Sequence, residues 1–595
     1  MNLQTCQNDL TRILYIDLTK RSFRVEDRPD IFQDSIGGSG AAIRLLEENC
    51  PVGADPLGPE NPIIFAVGPL VGLYPLASKT IAMFKSPHTG NLGESHAGGR
   101  SAVSIRMAGY GAIVITGKSE IPIFLDIDEG KVSFKDATSL WGMSSSFSVG
   151  SVLRGMTDES GFRTIMRIGR AGEKQVSYAC VVTETFRHFG RLGLGAVFGS
   201  KLLKGVVVSG KRSIPVADKK AYRNVYDEIF HASTSSSVMQ KYHELGTAVN
   251  VWPLNNIGGL PTRNLQSGKF EMASNLSGEH LAAHYLGRRV ACAHCPVACI
   301  HLAALRIPYP HDPYFYKTIM IGYDHELIYA VGSMLGIGDT EKMLMVIDEV
   351  EIQGMDMMTT GVVLAWATEA FQRGLITTQD TGDLRPDWGN AEVYIEMIRR
   401  IVQQPNDFYR ALAHGVEHAA SVYGGLDYAL SFGKNEMPGY HTGPACHLGY
   451  LTGARHSHLD SAGYSLDQKA AATGKTLTPN EVAEALVKEE TWRQILTSLT
   501  ICLFARGIYT PDVSRRALEA AGFPWNEADF DRIGKDILLR KQLFKAREGF
   551  NLLSLRLPKR IFETAAPAGS FDEAFMRQAI YKYAALIGLL PVDEE

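Results

Sequence analysis

Three cysteines lie close together within "RRVACAHCPVACIHLAA", at Cys292, Cys295 and Cys299, in a 595-residue chain that holds eight cysteines. This Cys-x2-Cys-x3-Cys spacing lets three thiolates converge from one tight loop, and iron–sulfur clusters are commonly held by such a run with a distant fourth cysteine. Zinc sites more often use cysteine pairs, or a cysteine pair with a histidine pair. Because His294 and His301 are nearby, zinc remains an alternative, and three inert cysteines are another. The spacing favours an iron–sulfur cluster.

The spacing does not choose the fourth ligand. The candidates are Cys6, Cys50, Cys180, Cys446 and Cys502. The first twenty residues, "MNLQTCQNDLTRILYIDLTK", lack the basic and then apolar pattern of a secretory signal, and no apolar run reaches the roughly 18 residues of a membrane helix. We therefore expect a cytoplasmic protein without a membrane span. Thiols stay reduced there, so clustered cysteines indicate metal or redox chemistry rather than disulfides.

Two further stretches place polar side chains where acid–base chemistry is possible. Glu326 leads into the apolar run of "GYDHELIYAVGSMLGI", so it is either exposed at the first turn of a helix or buried in a functional site. The stretch "LTGARHSHLDSAGYS" brings together Arg455, His456, His458 and Asp460. Histidine is the commonest proton carrier near neutral pH. A polar surface loop is the alternative for this second stretch.

Glycine-rich stretches, "HAGGR" and "GRLGLG", lie near the cations Lys79, Arg187 and Arg191. Glycine lets the backbone approach a ligand closely, and cations favour phosphate. We expect an anionic ligand on this part of the chain, with tight structural turns as the alternative.

The elements that must position these residues change in character near residue 212. Before it, short β-branched or apolar runs such as "RILYIDLT", "PIIFAVGPL" and "KGVVVSG" predict strands. After it, "TGVVLAWATEAFQRG" and "NEVAEALVKEETWRQILTSL" have apolar residues at helical spacing. Two proline-containing stretches, "LRIPYPHDPYFY" and "EMPGYHTGPACHLGY", are predicted to be loops, and the second suggests a break near 430. The prediction is an α+β protein with a β-rich domain at 1–212 and mostly α-helical domains at 213–430 and 431–595.

Composition narrows the class of protein further. The mass of 65.2 kDa is too large for one hydrophobic core. The apolar fraction of 45% and the charged fraction of 21% are ordinary for soluble globular proteins. The net charge of −4 and the absence of a long basic block give no case for nucleic-acid binding.

Taken in order, the motifs resemble the aldehyde:ferredoxin oxidoreductase family of tungsten–pterin enzymes, almost from end to end. The stretches that carry the resemblance are "IGGSGAAIRLL", "NPIIFAVGPLVG", "KSPHTG", "AGYGAIVITGKSE", "IGRAGE", "GRLGLGAVFGSKLLKGVVVSG" and "ACAHCPVAC". The resemblance implies a β-rich base domain that binds two pyranopterins, which together ligate one tungsten or molybdenum, with Mg²⁺ bridging the pterin phosphates. It also implies one [4Fe-4S] cluster beside a pterin and two helical domains that cover the cofactors.

The resemblance assigns the cluster and motif residues. In the family the fourth cluster cysteine ends an Asp-x-x-Gly-Leu-Cys motif, and "TSLTIC" matches it here, which implies that Cys502 is the fourth ligand. The companion motif, Asp-x-x-Gly-Leu-Asp, matches "EIQGMD" from Glu351 to Asp356. Further pterin contacts carried over from the family, including those within these motifs, are Lys79, His96, Gly98, Arg187, His188, Gly190, Glu351, Met355, Asp356, Arg455, Thr497 and Leu503.

The resemblance also assigns the catalytic pair. The family's catalytic glutamate falls on Glu326 within "DHE", as a general acid/base. Its catalytic histidine falls on His458 within "RHSHLD". The loop around His458 is one residue shorter here, which leaves His456 as a rival.

Several positions depart from the family pattern. Thr497 and Thr500 replace the Asp and Gly of the motif before the fourth cysteine, and a neutral hydroxyl cannot supply the charge of a carboxylate. Lys79 stands where arginine is common, so the bidentate fork to phosphate is lost. His96 stands where asparagine is common. No ligand set is evident for the interfacial mononuclear iron of some relatives.

The function implied by the resemblance is oxidation of an aldehyde plus water to a carboxylic acid. Electrons would pass through the cluster to ferredoxin or to an iron–sulfur partner subunit, in a homodimer or hetero-oligomer. One alternative is a different low-potential reduction, of a carboxylic acid or an aromatic thioester. Another is a noncatalytic electron-transfer subunit that keeps the cluster.

Overall fold

The computed structural model describes residues 9–157, 161–184, 186–309 and 311–590. Cys6 lies outside the described residues. Sheets dominate the chain up to residue 210 and helices dominate it from residue 219 onward. The predicted α+β class, with a β-rich N-terminal part followed by mostly helical structure, is confirmed.

The N-terminal part contains two six-stranded sheets. The first has the order β2-β1-β6-β3-β4-β5, in which β1 and β6 run parallel and the other pairs run antiparallel. Its strands are β1 Arg12–Asp17, β2 Ser22–Asp27, β3 Ile63–Ala66, β4 Thr80–Lys85, β5 Leu92–Ala97 and β6 Ala112–Thr116. The second sheet has the order β11-β10-β9-β12-β7-β8. Its strands are β7 Ile123–Asp128, β8 Lys131–Asp136, β9 Phe162–Arg167, β10 Val181–Val182, β11 His188–Phe189 and β12 Leu203–Gly210.

Alternate side chains of the first sheet enter two different cores. Leu14 and Phe65 join residues of the second sheet in a core between the two sheets. Ile13 and Ile64 point the other way and pack against C-terminal residues such as Ile495. Because successive side chains of a strand point to opposite faces, a sheet that is covered on both faces needs continuous apolar strands. This explains the unbroken apolar runs "IIFA" and "AIVI".

The helical part surrounds a large core that extends from Ala248 to Ala584, includes the fully buried Trp366 and also takes in a few N-terminal residues such as Tyr178. Its longer helices are Lys219–Ser235, Ser237–Leu245, Thr340–Gln353, Met357–Gln372, Ala391–Gln403, Val416–Tyr423, Pro444–Thr452, Gly463–Thr473, Pro479–Ser498, Pro511–Ala521, Glu527–Arg547 and Glu573–Leu586. The chain after residue 430 contributes to two cores. Leu448 lies in the helical core, whereas Leu496 and Ile537 cover the first N-terminal sheet.

Both proline-containing stretches that were predicted to be loops contain regular structure. "LRIPYPHDPYFY" lies in a hairpin of β14 Ile300–Tyr309 and β15 Asp312–Tyr323, which forms a three-stranded sheet with β13 Leu286–Val290. The tip projects into solvent, where Tyr314 is 89% exposed. "EMPGYHTGPACHLGY" contains most of the helix Pro444–Thr452, with its proline in the first turn. Proline costs no hydrogen bond in a first turn or at the outer part of a hairpin, so it did not break either element.

No helix among the described residues is long and apolar enough to cross a membrane.

Candidate active site and cluster loop

One interior cavity, of about 330 Å³, is lined by all of the site residues predicted from the sequence. They come from both N-terminal sheets, from the hairpin region and from the C-terminal helices. The structure thus brings together Lys79, His96, Gly98, Arg187, His188, Gly190, Cys292, Cys295, Cys299, Glu326, Glu351, Met355, Asp356, Arg455, His458, Thr497, Cys502 and Leu503.

The four predicted cluster cysteines are half-buried at one end of this cavity. Burial, with the charges of the other three thiols, raises the pKa of Cys295 to about 12. Burial also raises the pKa of Cys299 to about 11, although Arg187 opposes this. Each thiol therefore lies within electrostatic reach of the others, although Cys299 and Cys502 are 203 residues apart in the sequence. A cationic cluster would supply the charge that keeps such thiolates ionised.

Backbone hydrogen bonds hold both cysteine segments against one stretch of the N-terminal domain. The amide of Leu76 donates to the carbonyl of His294 at 3.1 Å, and the carbonyl of Leu76 accepts from the amide of Cys502 at 2.9 Å. The amide of Lys79 donates to the carbonyl of Thr500 at 3.1 Å. The cluster loop, which carries Cys292, Cys295 and Cys299, and the segment of Cys502 are therefore both held against the same N-terminal segment, from Leu76 to Lys79.

Left-handed backbone accompanies three of the four cysteines. His294 has φ +56°, Ala298 has φ +51° and Thr500 has φ +59°. A β-branched residue in this region is a real outlier, and such strain persists only where the surrounding structure imposes it. Gly354, at the equivalent position of the companion motif, has φ +75°. The shared geometry explains why the family motif has glycine where this chain has Thr500.

The other described cysteines have different surroundings. Cys50 and Cys446 are buried and do not line the cavity, and the Sγ of Cys446 lies 3.0 Å from the Tyr450 hydroxyl. Cys180 lines the cavity but is fully buried under the carbonyl of Gly354, which accepts from its amide. Among the described residues, no three His, Cys, Asp or Glu side chains are placed to hold a single metal ion.

Cations gather where the N-terminal domain meets the cluster loop. A β-carbon at Gly98 would lie 2.8 Å from the Sγ of Cys292 and 3.9 Å from the Nζ of Lys79, so only glycine leaves this approach open. Burial disfavours the charge on Arg187, but the nearby Cys292, Cys299 and Asp324 raise its pKa. Lys79 and Arg187 therefore offer positive charge beside a bare backbone, as the sequence predicted for an anionic ligand.

The companion motif lines another part of the cavity. Glu351 Oε2 lies 2.7 Å from Nε2 of His188. Asp356 caps the helix Met357–Gln372 through the amides of Met358 and Thr359. Arg191 Nε lies 3.2 Å from Oδ2 of Asp356, while its Nη1 is buried without a partner. Arg191 therefore presents an unused donor, although it was not among the residues carried over from the family.

The two motifs do not present equivalent side chains. Glu351 directs its carboxylate toward His188, but the hydroxyl of Thr497 donates to the carbonyls of Arg493 and Gln494 in its own helix, at 2.9 and 3.2 Å. The one proton of this hydroxyl is used within the helix, so only its lone pairs remain for a ligand. The replacement of Asp by Thr497 therefore removes a negative charge from one side of the cavity.

His96 has no free ring nitrogen. Its Nε2 lies 2.7 Å from Oε1 of Glu94, and its Nδ1 lies 3.1 Å from Nη1 of Arg455. Lys541 pairs with the other oxygen of Glu94 at 2.6 Å. Burial, with the charge of Arg455, lowers the pKa of His96 to about 4, so the ring is neutral. His96 thus holds Arg455 at the wall of the cavity that both residues line.

Glu326 lies in the first turn of the helix His325–Val331, which Asp324 caps by accepting from the amides of Glu326 and Leu327. Its Oε2 accepts from the amide of Gly439 at 2.9 Å, and its Oε1 is buried without a hydrogen bond. Burial raises the pKa of Glu326 to about 8. The side chain of Glu326 is therefore mostly buried rather than exposed at the first turn of the helix.

His458 faces this carboxyl group, with its Nε2 3.4 Å from Oε1 of Glu326. Burial, with the charge of Arg191, holds the pKa of His458 well below its usual range, so the ring is neutral. His456 lies outside the cavity lining. Its Nδ1 lies 2.8 Å from the Tyr450 carbonyl and its Nε2 lies 2.9 Å from Nζ of Lys545. Only His458 is therefore placed to act on a group in the cavity.

Sequence reasoning missed several residues of the site. Gly439 holds Glu326 and also accepts from His325, and a β-carbon there would lie 2.9 Å from the His325 ring. Glu94 and Lys541 support Arg455 through His96, although they are 447 residues apart. No local pattern marks these residues. Arg191, in contrast, was named from the sequence as a cation beside the glycine-rich stretch "GRLGLG", and two glycines flank it.

The lining fits a large anionic cofactor. Six cations line the cavity: Lys79, Arg187, Arg191, Arg455, Arg493 and Arg506. Buried polar atoms without partners, including Nη1 of Arg191, are of the kind that a bound polar group satisfies.

Comparisons with known proteins agree on the class. The N-terminal domain model of aldehyde ferredoxin oxidoreductase matches residues 13–210, and the model of domains 2 and 3 matches residues 224–589. A tungsten-containing aldehyde ferredoxin oxidoreductase of Thermococcus kodakarensis is 33% identical over 574 residues, which are 94% of this chain and 92% of that protein. The Pyrococcus furiosus protein of the same name is 32% identical over the same shares.

These relatives are tungsten-containing oxidoreductases. The chain belongs to the aldehyde ferredoxin oxidoreductase family, which binds tungsten and pterin.

Other similar proteins carry different names. The WOR-like subunit of an aliphatic sulfonate oxidoreductase from Pyrococcus furiosus is 30% identical over 427 residues, which are 69% of this chain and 66% of that protein. A solved structure, the active site complex BamBC of benzoyl coenzyme A reductase with 1,5-dienoyl-CoA, matches with a TM-score of 0.82 at 21% identity, over 97% of this chain and 94% of that chain. The second match supports the fold alone.

Proposed function

We propose that this protein oxidises an aldehyde plus water to a carboxylic acid and passes the electrons through an iron–sulfur cluster to ferredoxin or an iron–sulfur partner subunit. The observation that carries the proposal is the buried pair of Glu326 and His458, 3.4 Å apart, in the cavity that four cysteines also line. Family membership supports the same class of reaction.

The cofactor would be a tungsten or molybdenum bis-pyranopterin. When bound, it supplies a Lewis acid for the substrate oxygen and an acceptor for two electrons. Lys79, Arg187, Arg191 and Arg455 would hold its anionic parts, with Mg²⁺ between the pterin phosphates. Conversion of an aldehyde and water to an acid releases two electrons and two protons. Glu326 would remove a proton from the attacking water, and neutral His458 would orient the substrate oxygen by a hydrogen bond.

Cys292, Cys295, Cys299 and Cys502 would hold one [4Fe-4S] cluster. Their mutual electrostatic reach and their shared backbone anchor at Leu76 support this assignment. Such a cluster, when bound by these four thiols, would supply the one-electron redox chemistry that an iron–sulfur acceptor requires. The N-terminal domain at 1–212 and the helical domains at 213–430 and 431–595 would then enclose the cofactors, in a cytoplasmic homodimer or hetero-oligomer.

A second candidate is a low-potential reduction of a carboxylic acid or thioester. It is favoured by the pKa of about 8 at Glu326, because a carboxyl group that is protonated at pH 7 can act as an acid. A purely noncatalytic electron-transfer subunit is disfavoured, because such a subunit has no use for a buried acid–base pair.

The test combines metal analysis with one substitution. Anaerobically purified protein should contain tungsten or molybdenum and should reduce a viologen dye with an aldehyde. Glu326→Gln keeps the size of the side chain but removes the base, so turnover should fall by at least about 100-fold with metal and iron contents unchanged. His458→Asn should also lower turnover. The His456→Asn variant, if it folds, should retain activity.

Two results would contradict the proposal. Oxidation of the aldehyde at the wild-type rate by Glu326→Gln would exclude the general base. Inactivity of fully metal-loaded wild type toward every aldehyde would favour the reductive candidate.

A further inference from the structure

Aromatic rings form one wall of the cavity beside the acid–base pair. Tyr440 and Tyr464 stack with ring centroids 4.3 Å apart and an interplanar angle of 19°. Tyr242 and Phe504 stack with centroids 4.5 Å apart, also at 19°. All four side chains line the cavity. They come from three separated parts of the chain, so the wall depends on the tertiary fold.

This wall reaches the catalytic candidates. The ring of Tyr440 lies 5.3 Å from that of His458, and the ring of Tyr464 lies 6.3 Å from it. Burial raises the pKa of Tyr440, and the next contributions come from Tyr464, Glu326 and Tyr242. The two stacked pairs and the carboxyl group therefore lie within electrostatic reach of one another.

The rings are not simply core residues. Tyr440 is buried at 5% exposure, but Tyr464, Tyr242 and Phe504 are only partly buried and pack at the edges of the cores. All three line the cavity, so part of their surface borders it. Aromatic faces favour another aromatic ring in an offset-stacked or edge-to-face arrangement, by about 0.5–1.5 kcal/mol for each pair beyond the area buried.

Polar groups also border this wall. Thr247 and Asn250 line the cavity, and Asn250 Nδ2 lies 3.4 Å from the hydroxyl of Tyr440. Two cations lie within electrostatic reach of its tyrosines, and both have partners: Arg493 pairs with Glu489, and Arg506 donates to the carbonyl of Leu503 at 3.1 Å. A planar ring fits the aromatic faces of such a wall better than a flexible chain does.

We infer that the substrates are aryl carbonyl compounds, with the ring against the wall of Tyr440, Tyr464, Tyr242 and Phe504 and the carbonyl carbon toward Glu326 and His458. This inference rests on the proposed function for the reaction, but the preference for an aromatic ring is a separate property of the wall.

The test compares ligands that differ only in aromaticity. For metal-loaded enzyme, kcat/KM should be at least about five-fold higher for benzaldehyde than for cyclohexanecarbaldehyde, which is the ratio expected from one additional aromatic contact. Tyr464→Leu should reduce this ratio to about one, and Tyr464→Phe should preserve it. Tyr314→Leu, at the exposed hairpin tip, is the matched control and should not change the ratio.

Binding separates this inference from the proposed reaction. Calorimetry should show that benzoate binds at least five-fold more tightly than cyclohexanecarboxylate, and that Tyr464→Leu removes the difference. If neither aldehyde reacts but this binding preference is present, the proposed reaction fails and the inference stands. If both aldehydes react equally well and the two acids bind equally, or if Tyr464→Leu leaves both ratios unchanged, the inference is wrong.

Discussion

At the scale of single residues, one cause acts in opposite directions on the two catalytic candidates. Burial disfavours charge, so it raises the pKa of the Glu326 carboxyl group to about 8 and lowers the pKa of His458 well below its usual range. Both groups are therefore neutral at pH 7. The 3.4 Å approach of Glu326 to His458 is thus a contact of two uncharged groups, and each keeps one polar atom without a partner.

A pH dependence follows from Glu326. The base form of a carboxyl group exists above its pKa, so aldehyde oxidation should become faster as the pH rises through about 8. His458 stays neutral across this range, so it should add no second step between pH 6 and 9. The measurement is kcat/KM of the loaded enzyme against pH. A rate that is constant from pH 6 to 9 would show that Glu326 does not act as the base.

The two histidines of "RHSHLD" show where sequence reasoning stopped at this scale. The sequence left both as candidates, because the loop around His458 is one residue shorter than in the family it resembles. The structure separates them by surroundings: His456 satisfies both ring nitrogens with Tyr450 and Lys545, and His458 leaves Nδ1 unused. Lys545 lies 89 residues further along the chain, so no local pattern encodes the difference.

At the scale of elements, the strands were predictable and the hairpin was not. The strands β1, β3 and β12 are short, apolar and bounded by turn residues, which is the strand pattern. In the hairpin, Pro308 resembled a breaker. It pairs with Tyr316 in the exposed outer part of the sheet. The pairing of β14 with β13 ends before this point, so the missing N–H of Pro308 costs no hydrogen bond to β13.

The cluster loop provides a prediction at this scale. Cys502→Ser should lose or convert the cluster, because the segment of Cys502 and the cluster loop share the anchor at Leu76. Cys446→Ser is the matched control. Its sulfur lies beside Tyr440 and Tyr450 in the helical core, so iron content should be unchanged. Iron analysis and EPR of the reduced proteins are the measurements. Loss of iron in Cys446→Ser but not in Cys502→Ser would reverse the assignment.

At the scale of the whole molecule, the cavity is closed by contacts between distant parts of the chain. The bonds from Lys79 to Thr500 and from Cys502 to Leu76 each span more than 400 residues of sequence. Such contacts require a long loop to close, at an entropic cost that rises with its length. The family motifs marked the residues on both sides of this contact, but they did not predict which backbone groups pair.

Loading of the cofactors should tighten this closure. A ligand that binds only the closed state stabilises it, by a factor of about 100 when its concentration is 100 times its Kd. Amide exchange of peptides that contain Lys79 and Cys502 should therefore be at least about ten-fold slower in loaded than in cofactor-free protein. Peptides from β1 and β6 are the control and should not change. Equal protection of all of these peptides in both forms would contradict the prediction.

The hairpin of β14 and β15 also separates two tasks along the chain. β14 begins directly after Cys299, and β15 ends three residues before Glu326. The root is fixed by pairing between His301 and Tyr323, and the exposed tip lies at the far end. Residues gained or lost at the tip change neither the root nor its register. Evolution can therefore lengthen, shorten or decorate this arm while Cys299 and Glu326 keep their places, so homologues should differ in length here more than elsewhere in the site.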